Sequence, residues 1–234
     1  MKRRNDLLSD IRSRELAALP WWYSPYAHLS ATTGVGVFAL VIALSQIKNL
    51  RWEELIIIPI TIIIANFFEW YAHKNILHRR RRFWETLFEK HVLLHHRIYR
   101  WKSMAIRDFR ESAFVLIPSI GVLGIVLAAS PMAALTGIVF GANVGWLMLM
   151  TQALYVVCYE LTHLSYHLPK GHPVRSIPII RVLGTHHARH HAPELMQRYN
   201  FNVTLPLADV VLGTVAPREV IETLKRKKKQ NRSH

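Results

Sequence analysis

Long uncharged runs alternate with charged segments along this chain. Residues 29–47 carry no charge, and these 19 residues approach the roughly 20 that a membrane-spanning helix needs. Residues 55–68 form a second, shorter run, which apolar residues extend past Glu69 to Ala72. Residues 112–159 form an uncharged run of 48 residues, which suits two helices with a break at Ser130 and Pro131. The pattern predicts an all-α integral membrane bundle of about four spanning helices.

Three glycines in the last run are spaced four residues apart, at Gly137, Gly141 and Gly145. This spacing places small residues on one face of a helix. Such a face allows close contact between helices in a membrane. We therefore expect tight packing within the pair of helices that this run forms.

The charges predict how the bundle sits in its membrane. Lys and Arg outnumber Asp and Glu by 30 to 15, and they concentrate in an N-terminal arm (1–28), in residues 79–110 and in a C-terminal tail (218–234). The loops at 48–54 and at Ser130-Pro131 have no excess of positive charge. By the positive-inside rule, both termini and residues 79–110 are cytoplasmic, in the inner membrane if the protein is bacterial. The membrane domain between arm and tail then spans 29–217.

Histidines cluster directly after the apolar runs. Eleven of the 14 lie in two regions: His73, His78, His91, His95 and His96 in the first, and His163, His167, His186, His187, His190 and His191 in the second. Imidazole is a good ligand for iron, zinc, copper and nickel. The two regions therefore predict one metal centre in a cytoplasmic cap at the membrane surface. The single Cys158 excludes a Cys-based zinc module.

Helical spacing indicates which histidines of the second region converge. His163 and His167 are four residues apart, so they share one face of a helix. His187, His190 and His191 follow the spacing i, i+3, i+4 and converge on one face in the same way.

The first region is less regular. His91 and His95 are four residues apart and share a helix face, whereas His96 is turned away by about 100°. His73 and His78 are five apart, turned from one another by about 140° on an α-helix. These two need a helix end or a distortion between them in order to converge.

Four histidine motifs and a closing segment resemble the membrane fatty acid hydroxylase/sterol desaturase superfamily. The motifs are His73-x4-His78, His91-x3-His95-His96, His163-x3-His167 and His187-x2-His190-His191. The closing segment begins at Phe201, contains Thr204 and Asp209, and ends in Gly213-Thr214. The resemblance covers about residues 70–214, and the second motif has one residue more than the commonest spacing.

The resemblance implies two iron ions, dioxygen and two electrons that together attack a C–H bond of a fatty acyl or other lipid substrate. It implies ten histidine ligands: His73, His78, His91, His95, His96, His163, His167, His187, His190 and His191. The fourth motif has a doubled start, so either His186 or His187 is the ligand, and helix geometry and the commoner spacing favour His187. Zinc is a possible occupant in purified protein.

The resemblance also implies partners and supporting residues. Because no N-terminal cytochrome b5-like domain is present, we expect a separate electron donor of ferredoxin or cytochrome b5 type. A ligating histidine donates its second N–H to a carboxylate or carbonyl, and Glu69, Glu160 and Asp209 lie near the motifs. A salt bridge with an arginine is the alternative role for each. An anionic substrate would place its headgroup near residues 79–82 or 97–107.

Three other functions remain open. A lipid or sterol desaturase would use the same centre, and nothing in the sequence separates it from a hydroxylase. A non-catalytic membrane protein that binds or transports a metal is the second alternative. A transporter would place its ligands within the spans, but the apolar runs contain no clustered histidine. A membrane-anchored nucleic-acid binder rests only on the net charge of +15.

Overall fold

The computed structural model describes residues 2–230, with side chains at 7–227 and 230. Every element in that range is helical. The α-helices are α1 (Lys2–Ala18), α2 (Pro25–Gln46), α3 (Ile57–Ala72), α4 (Glu85–Phe88), α5 (His96–Ile98), α6 (Ser119–Phe140), α7 (Ala142–His167), α8 (Pro173–Ser176), α9 (Pro178–His190), α10 (Leu207–Val211) and α11 (Arg218–Gln230). The 3-10 helices are Trp52–Ile56 and Phe109–Phe114, and the π-helices are His73–Leu77 and Glu89–His95.

Four helical segments are long and apolar enough to cross a membrane. They are Pro25–Gln46, Trp52–Leu77, Phe109–Phe140 and Ala142–His167. Their lengths of 22 to 32 residues exceed the roughly 20 that a span needs. The prediction of an all-α bundle with four spans is confirmed for the described range, and the chain is a multi-pass membrane protein.

The expected break at Ser130 and Pro131 is wrong, because α6 continues through Pro131 to Phe140. A proline has no N–H, so it leaves the carbonyl four residues earlier without its helical partner. Here the Ser130 hydroxyl donates to that carbonyl, Leu127 O, at 2.8 Å. The chain instead turns at Gly141, whose φ of +110° is a conformation that favours glycine.

Because the chain turns at Gly141, the three evenly spaced glycines do not lie on one helix. Gly137 and Gly145 lie on different helices and face each other across the turn. A Cβ on Gly145 would lie 2.8 Å from the Cα of Gly137 and 2.7 Å from the carbonyl of Ala133. The expected close helix contact is present, but it joins α6 to α7 and does not include Gly141.

The short connections lie together at one end of the bundle. Asn143, just after the α6–α7 turn, accepts from the backbone N–H of Lys48 at 3.1 Å and donates to the carbonyl of Lys48 at 2.8 Å. It also donates to the carboxylate of Glu54 at 3.0 Å. The spans therefore carry the histidine motifs at their other end, after α3 and at the end of α7.

A compact apolar core joins the histidine end of α7 to the segment that precedes α6. It includes Ile98, Tyr99, Met104, Phe114 and Leu164, each no more than 8% exposed. Side chains of α1 pack against this core. The core holds in place the backbone at Tyr99, Met104 and Phe114.

Candidate metal centre

The ten histidines named by the motifs form two groups of five. The first group is His73, His78, His91, His96 and His190, and the second is His95, His163, His167, His187 and His191. Within each group one ring nitrogen per residue lies within 4.8 Å of all the others. All ten side chains but that of His91 are buried. The structure thus brings every motif histidine into one of two adjacent clusters.

The two π-helices arrange the first group. In His73–Leu77 the backbone N–H of His78 donates to the carbonyl of His73 at 3.1 Å, so residues five apart lie one above the other. In the second π-helix the N–H of His96 donates in the same way to His91. We expected His91 to converge with His95 on an α-helical face. The wider turn instead groups His91 with His96 and sends His95 to the second group, although the rings of His91 and His95 stack 5.4 Å apart.

The helices α7 and α9 arrange the second group. His163 and His167 converge from one face of α7, as their spacing predicts. His187 and His191 do the same at the end of α9, but His190 turns toward the first group. The end of α9 therefore supplies both groups and fixes their relative position.

The distances between nitrogens fit metal coordination. Contacting Nε2 atoms are 2.9–3.2 Å apart in both groups. Two nitrogens that bind one ion at right angles, each at about 2.0–2.1 Å, are separated by about 3 Å. The Nε2 atoms of His163 and His167 are buried and have no hydrogen-bond partner among the described residues. A buried nitrogen without a partner costs about 1–3 kcal/mol, and a bound ion would supply the missing partner.

Backbone carbonyls orient five of the rings. Each of these Nδ1 atoms donates to a carbonyl: His73 to Phe201, His95 to Phe114 at 2.8 Å, His167 to Met104 at 2.8 Å, His190 to Tyr199 at 2.9 Å, and His191 to Tyr99 at 2.7 Å. With the proton on Nδ1, the lone pair of Nε2 points into the group. This is the usual arrangement around metal-binding histidines.

Burial keeps the cap histidines neutral. Desolvation lowers the pKa of His95 to about 4. Desolvation, and then the neighbouring histidines, hold the pKa of His187 and of His190 well below the usual 6.5. Neutral imidazole is the form that binds metal, so both groups are ready to bind ions at pH 7.

The sequence matches one protein family over the region that builds these groups. Residues 58–214 match the family model described as fatty acid hydroxylase. The chain belongs to the fatty acid hydroxylase family. The matched residues contain all ten clustered histidines and the closing segment.

A solved structure supports the same fold. A chain described as full-length Scs7p, of which only the hydroxylase domain is visible, matches with a TM-score of 0.55 and 20% identity. The match covers 83% of this chain and 67% of that one. No curated protein matches the sequence. Membership of this family makes the protein an oxidoreductase, and the family modifies lipids in membranes and typically depends on iron.

Asp209, in the closing segment, supports the first histidine group through backbone hydrogen bonds. Its carboxylate accepts from the backbone N–H groups of Phe201 and Asn202, at 3.0 and 2.8 Å. The carbonyl of Phe201 in turn accepts from His73. His186 Nε2 lies 2.9 Å from the same carboxylate and belongs to neither group. Asp209 therefore holds in place the segment that orients His73, and it is also the hydrogen-bond partner of His186.

Glu69 holds the same closing segment against α3. Its buried carboxylate accepts from the N–H of Val203, from the N–H and hydroxyl of Thr204, and from the Tyr155 hydroxyl at 2.6 Å. Asn66, one turn earlier on α3, donates to the carbonyl of Leu205 at 2.7 Å. Among the described residues, Glu69 contacts this segment and no clustered histidine, so it supports the candidate metal centre indirectly.

Glu160 takes a different position from the other two carboxylates. It is fully buried on α7, and its Oε2 accepts from the N–H of Ile117 at 2.8 Å. Its other oxygen has no hydrogen-bond partner among the described residues. Glu160 thus supports the chain three residues after Phe114, whose carbonyl orients His95.

Sequence reasoning missed one connection to the second group. Arg12 of α1 pairs with the buried carboxylate of Glu111. The Tyr99 hydroxyl donates to the same carboxylate at 3.0 Å, and the Tyr99 carbonyl orients His191. No local pattern in the sequence links Arg12 to a residue 99 positions away.

Proposed function

We propose that the protein is a non-haem di-iron oxygenase that hydroxylates a C–H bond of a fatty acyl or other lipid substrate. The observation that carries the proposal is the pair of five-histidine groups at one end of four membrane-spanning segments. A hydrocarbon C–H bond is too weakly acidic for acid–base catalysis to break it. A redox-active group therefore has to supply the reactivity. Bound iron would supply it, with dioxygen as the oxidant.

The chain's own residues have defined roles in this proposal. The first group would hold one ion and the second group the other. The carbonyls of Phe201, Phe114, Met104, Tyr199 and Tyr99 keep a proton on Nδ1 of their histidines and so leave Nε2 free to bind. The burial of nine of the ten histidines keeps bulk water away from the site and so limits side reactions there.

The reaction balances with two external electrons. One oxygen atom of dioxygen enters the C–H bond as a hydroxyl group. The other leaves as water with two protons and two electrons. We propose a separate one-electron carrier of ferredoxin or cytochrome b5 type as their source, since each carrier molecule gives one electron.

The same proposal assigns an orientation. Both termini and both histidine groups face the cytoplasm, supported by the basic residues 79–110 at the histidine end and by the neutral loops at the other. Reporter fusions after residue 234 and within residues 48–54 should then lie on opposite sides of the membrane. The same side for both would contradict this orientation.

The experiment that tests the activity is oxygen transfer from labelled dioxygen. Iron-loaded protein in lipid nanodiscs is incubated with ¹⁸O₂, a reduced ferredoxin or cytochrome b5 and a total lipid extract. We expect a hydroxylated lipid that carries the label, and none from a His163→Ala variant. A product that has lost two hydrogens and carries no label would make the protein a desaturase. No oxygen-dependent product from protein with two bound irons would leave a non-catalytic metal-binding protein.

A further inference from the structure

A surface groove reaches the first histidine group at His96. The groove holds about 360 Å³ and is open to solvent. Its apolar walls are Val92, Leu93, Pro193 and Met196. His96 is the buried residue of its lining, and it is the one member of either group that lines this groove.

His96 is in contact with both groups. Its Nε2 lies 3.1 Å from Nε2 of His91 in its own group. Its ring stacks on that of His191 in the second group, with the ring centroids 4.2 Å apart. Its side chain is 3% exposed, and its Nδ1 has no hydrogen-bond partner in the described range. His96 therefore connects the groove to the rings of both histidine groups.

The charge of the groove is positive. Arg97 and Arg100 complete its lining, which contains no carboxylate among the residues that the structure describes. The wall at Pro193 and Met196 belongs to the segment 192–199, which packs on α11 through Leu195 and Ile221. That helix has the sequence REVIETLKRKKKQ and adds further positive charge to this side. Apolar residues with arginine around them are typical of the centre of a protein–protein interface.

We propose that this groove docks an acidic one-electron carrier protein and that His96 is the residue through which its electrons reach the metal centre. The inference rests on the proposed function, since that reaction consumes two electrons for each dioxygen. Each docked carrier is oxidised by one electron and leaves, so two carriers are consumed for each hydroxyl formed. The positive rim accelerates the encounter with a negative partner, and the apolar walls hold the docked complex.

The test is the rate of electron transfer from a reduced carrier. Full-length, iron-loaded protein in phosphatidylcholine nanodiscs is mixed anaerobically with reduced plant-type [2Fe–2S] ferredoxin, and separately with reduced soluble cytochrome b5. Carrier oxidation is followed by absorbance in a stopped-flow instrument. Arg97→Glu should lower the second-order rate by about tenfold or more at low salt and weaken its dependence on salt. Arg82→Glu makes the same charge change at an exposed position outside the groove and should lower the rate far less.

Two further measurements separate docking from damage. Met196→Glu places a negative charge in the groove at a residue outside the four histidine motifs, and it should slow both carriers as well. Photoreduced deazaflavin, a small reductant, should reduce wild type and all variants at equal rates. If wild-type iron is not reduced even by deazaflavin, the proposed function fails.

Other outcomes contradict the docking proposal alone. Carrier rates that are the same in wild type, Arg97→Glu and Met196→Glu would overturn it, as would wild-type iron that deazaflavin reduces and neither carrier does. Unchanged carrier rates together with weaker binding of an anionic lipid would make the groove a site for a lipid headgroup.

Discussion

Arg12 and Glu111 form a buried ion pair that ties the N-terminal helix to the second histidine group. Nη1 of Arg12 lies 3.0 and 3.2 Å from the two carboxylate oxygens of Glu111, and its guanidinium lies 5.2 Å from the ring centroid of Tyr99. Both charged side chains are 5% exposed or less. From Glu111 the contacts continue through the Tyr99 hydroxyl and carbonyl to His191. The helix α1 is therefore part of the support of the second histidine group.

Loss of this pair should destabilise the protein and weaken metal binding. Arg12→Gln leaves the Glu111 carboxylate buried without its partner, which costs about 3–5 kcal/mol. We expect a lower thermal midpoint and less iron per folded chain, measured by light scattering and elemental analysis. Arg14→Gln, on an exposed position of the same helix, is the control and should change neither. An unchanged iron content in Arg12→Gln would mean that this ion pair does not influence metal binding.

Adjacent histidines should behave differently when each is replaced. His187 Nε2 lies 2.9 Å from Nε2 of His191 inside the second group, whereas His186 pairs with Asp209. We expect His187→Ala to lower the number of bound ions. His186→Ala should keep them, with a loss of stability of about 1–3 kcal/mol from the broken hydrogen bond to a carboxylate. Metal analysis of the two variants decides the assignment, and the reverse result would make His186 the ligand.

The α6–α7 helix pair should tolerate a methyl group at one glycine but not at another. In Gly145→Ala the new Cβ would meet the Cα of Gly137 and the carbonyl of Ala133, so the helices have to separate. Overpacking of this kind costs about 1–3 kcal/mol. Gly124→Ala adds the same methyl group where nothing lies within 4 Å. We expect a lower thermal midpoint only for Gly145→Ala; equal midpoints would contradict the close contact.

Metal-free protein should lose stability in mild acid. Burial lowers the pKa of His95 from 6.5 to about 4, so the unfolded chain takes up a proton there before the folded chain does. Stability from this group is therefore constant above about pH 6.5 and falls as the pH drops toward 4. The buried histidines of the cap add in the same direction. Thermal midpoints of chelator-treated protein across this range measure the effect, and a midpoint that rises on acidification would contradict it.

The spans and the histidine motifs could be predicted because they are local features of the sequence. Uncharged runs of sufficient length identify spanning helices, and the spacing of His163 and His167 places them on one face of α7. The position of the turn could not be predicted, since Pro131 normally interrupts a helix and only the Ser130 hydroxyl compensates for the missing N–H.

The grouping of the histidines was predictable only in part. His91 joins His96 because a π-helix replaces the α-helical turn, and α-helical spacing therefore gave a different partner. The pair between Arg12 and Glu111 depends on how α1 folds back over the cap, which no local pattern encodes. The roles of Glu69 and Asp209 likewise come from long-range contacts with the closing segment.

The most direct test of the central claim is the number of irons that the folded chain binds. Protein stripped with a chelator is loaded with ferrous iron under anaerobic conditions, and bound iron is counted by elemental analysis against chain concentration. We predict two irons per chain in the wild type and fewer than two in both His78→Ala and His163→Ala, one from each group. A folded wild type that binds at most one iron, or two irons retained in both variants, would contradict the account.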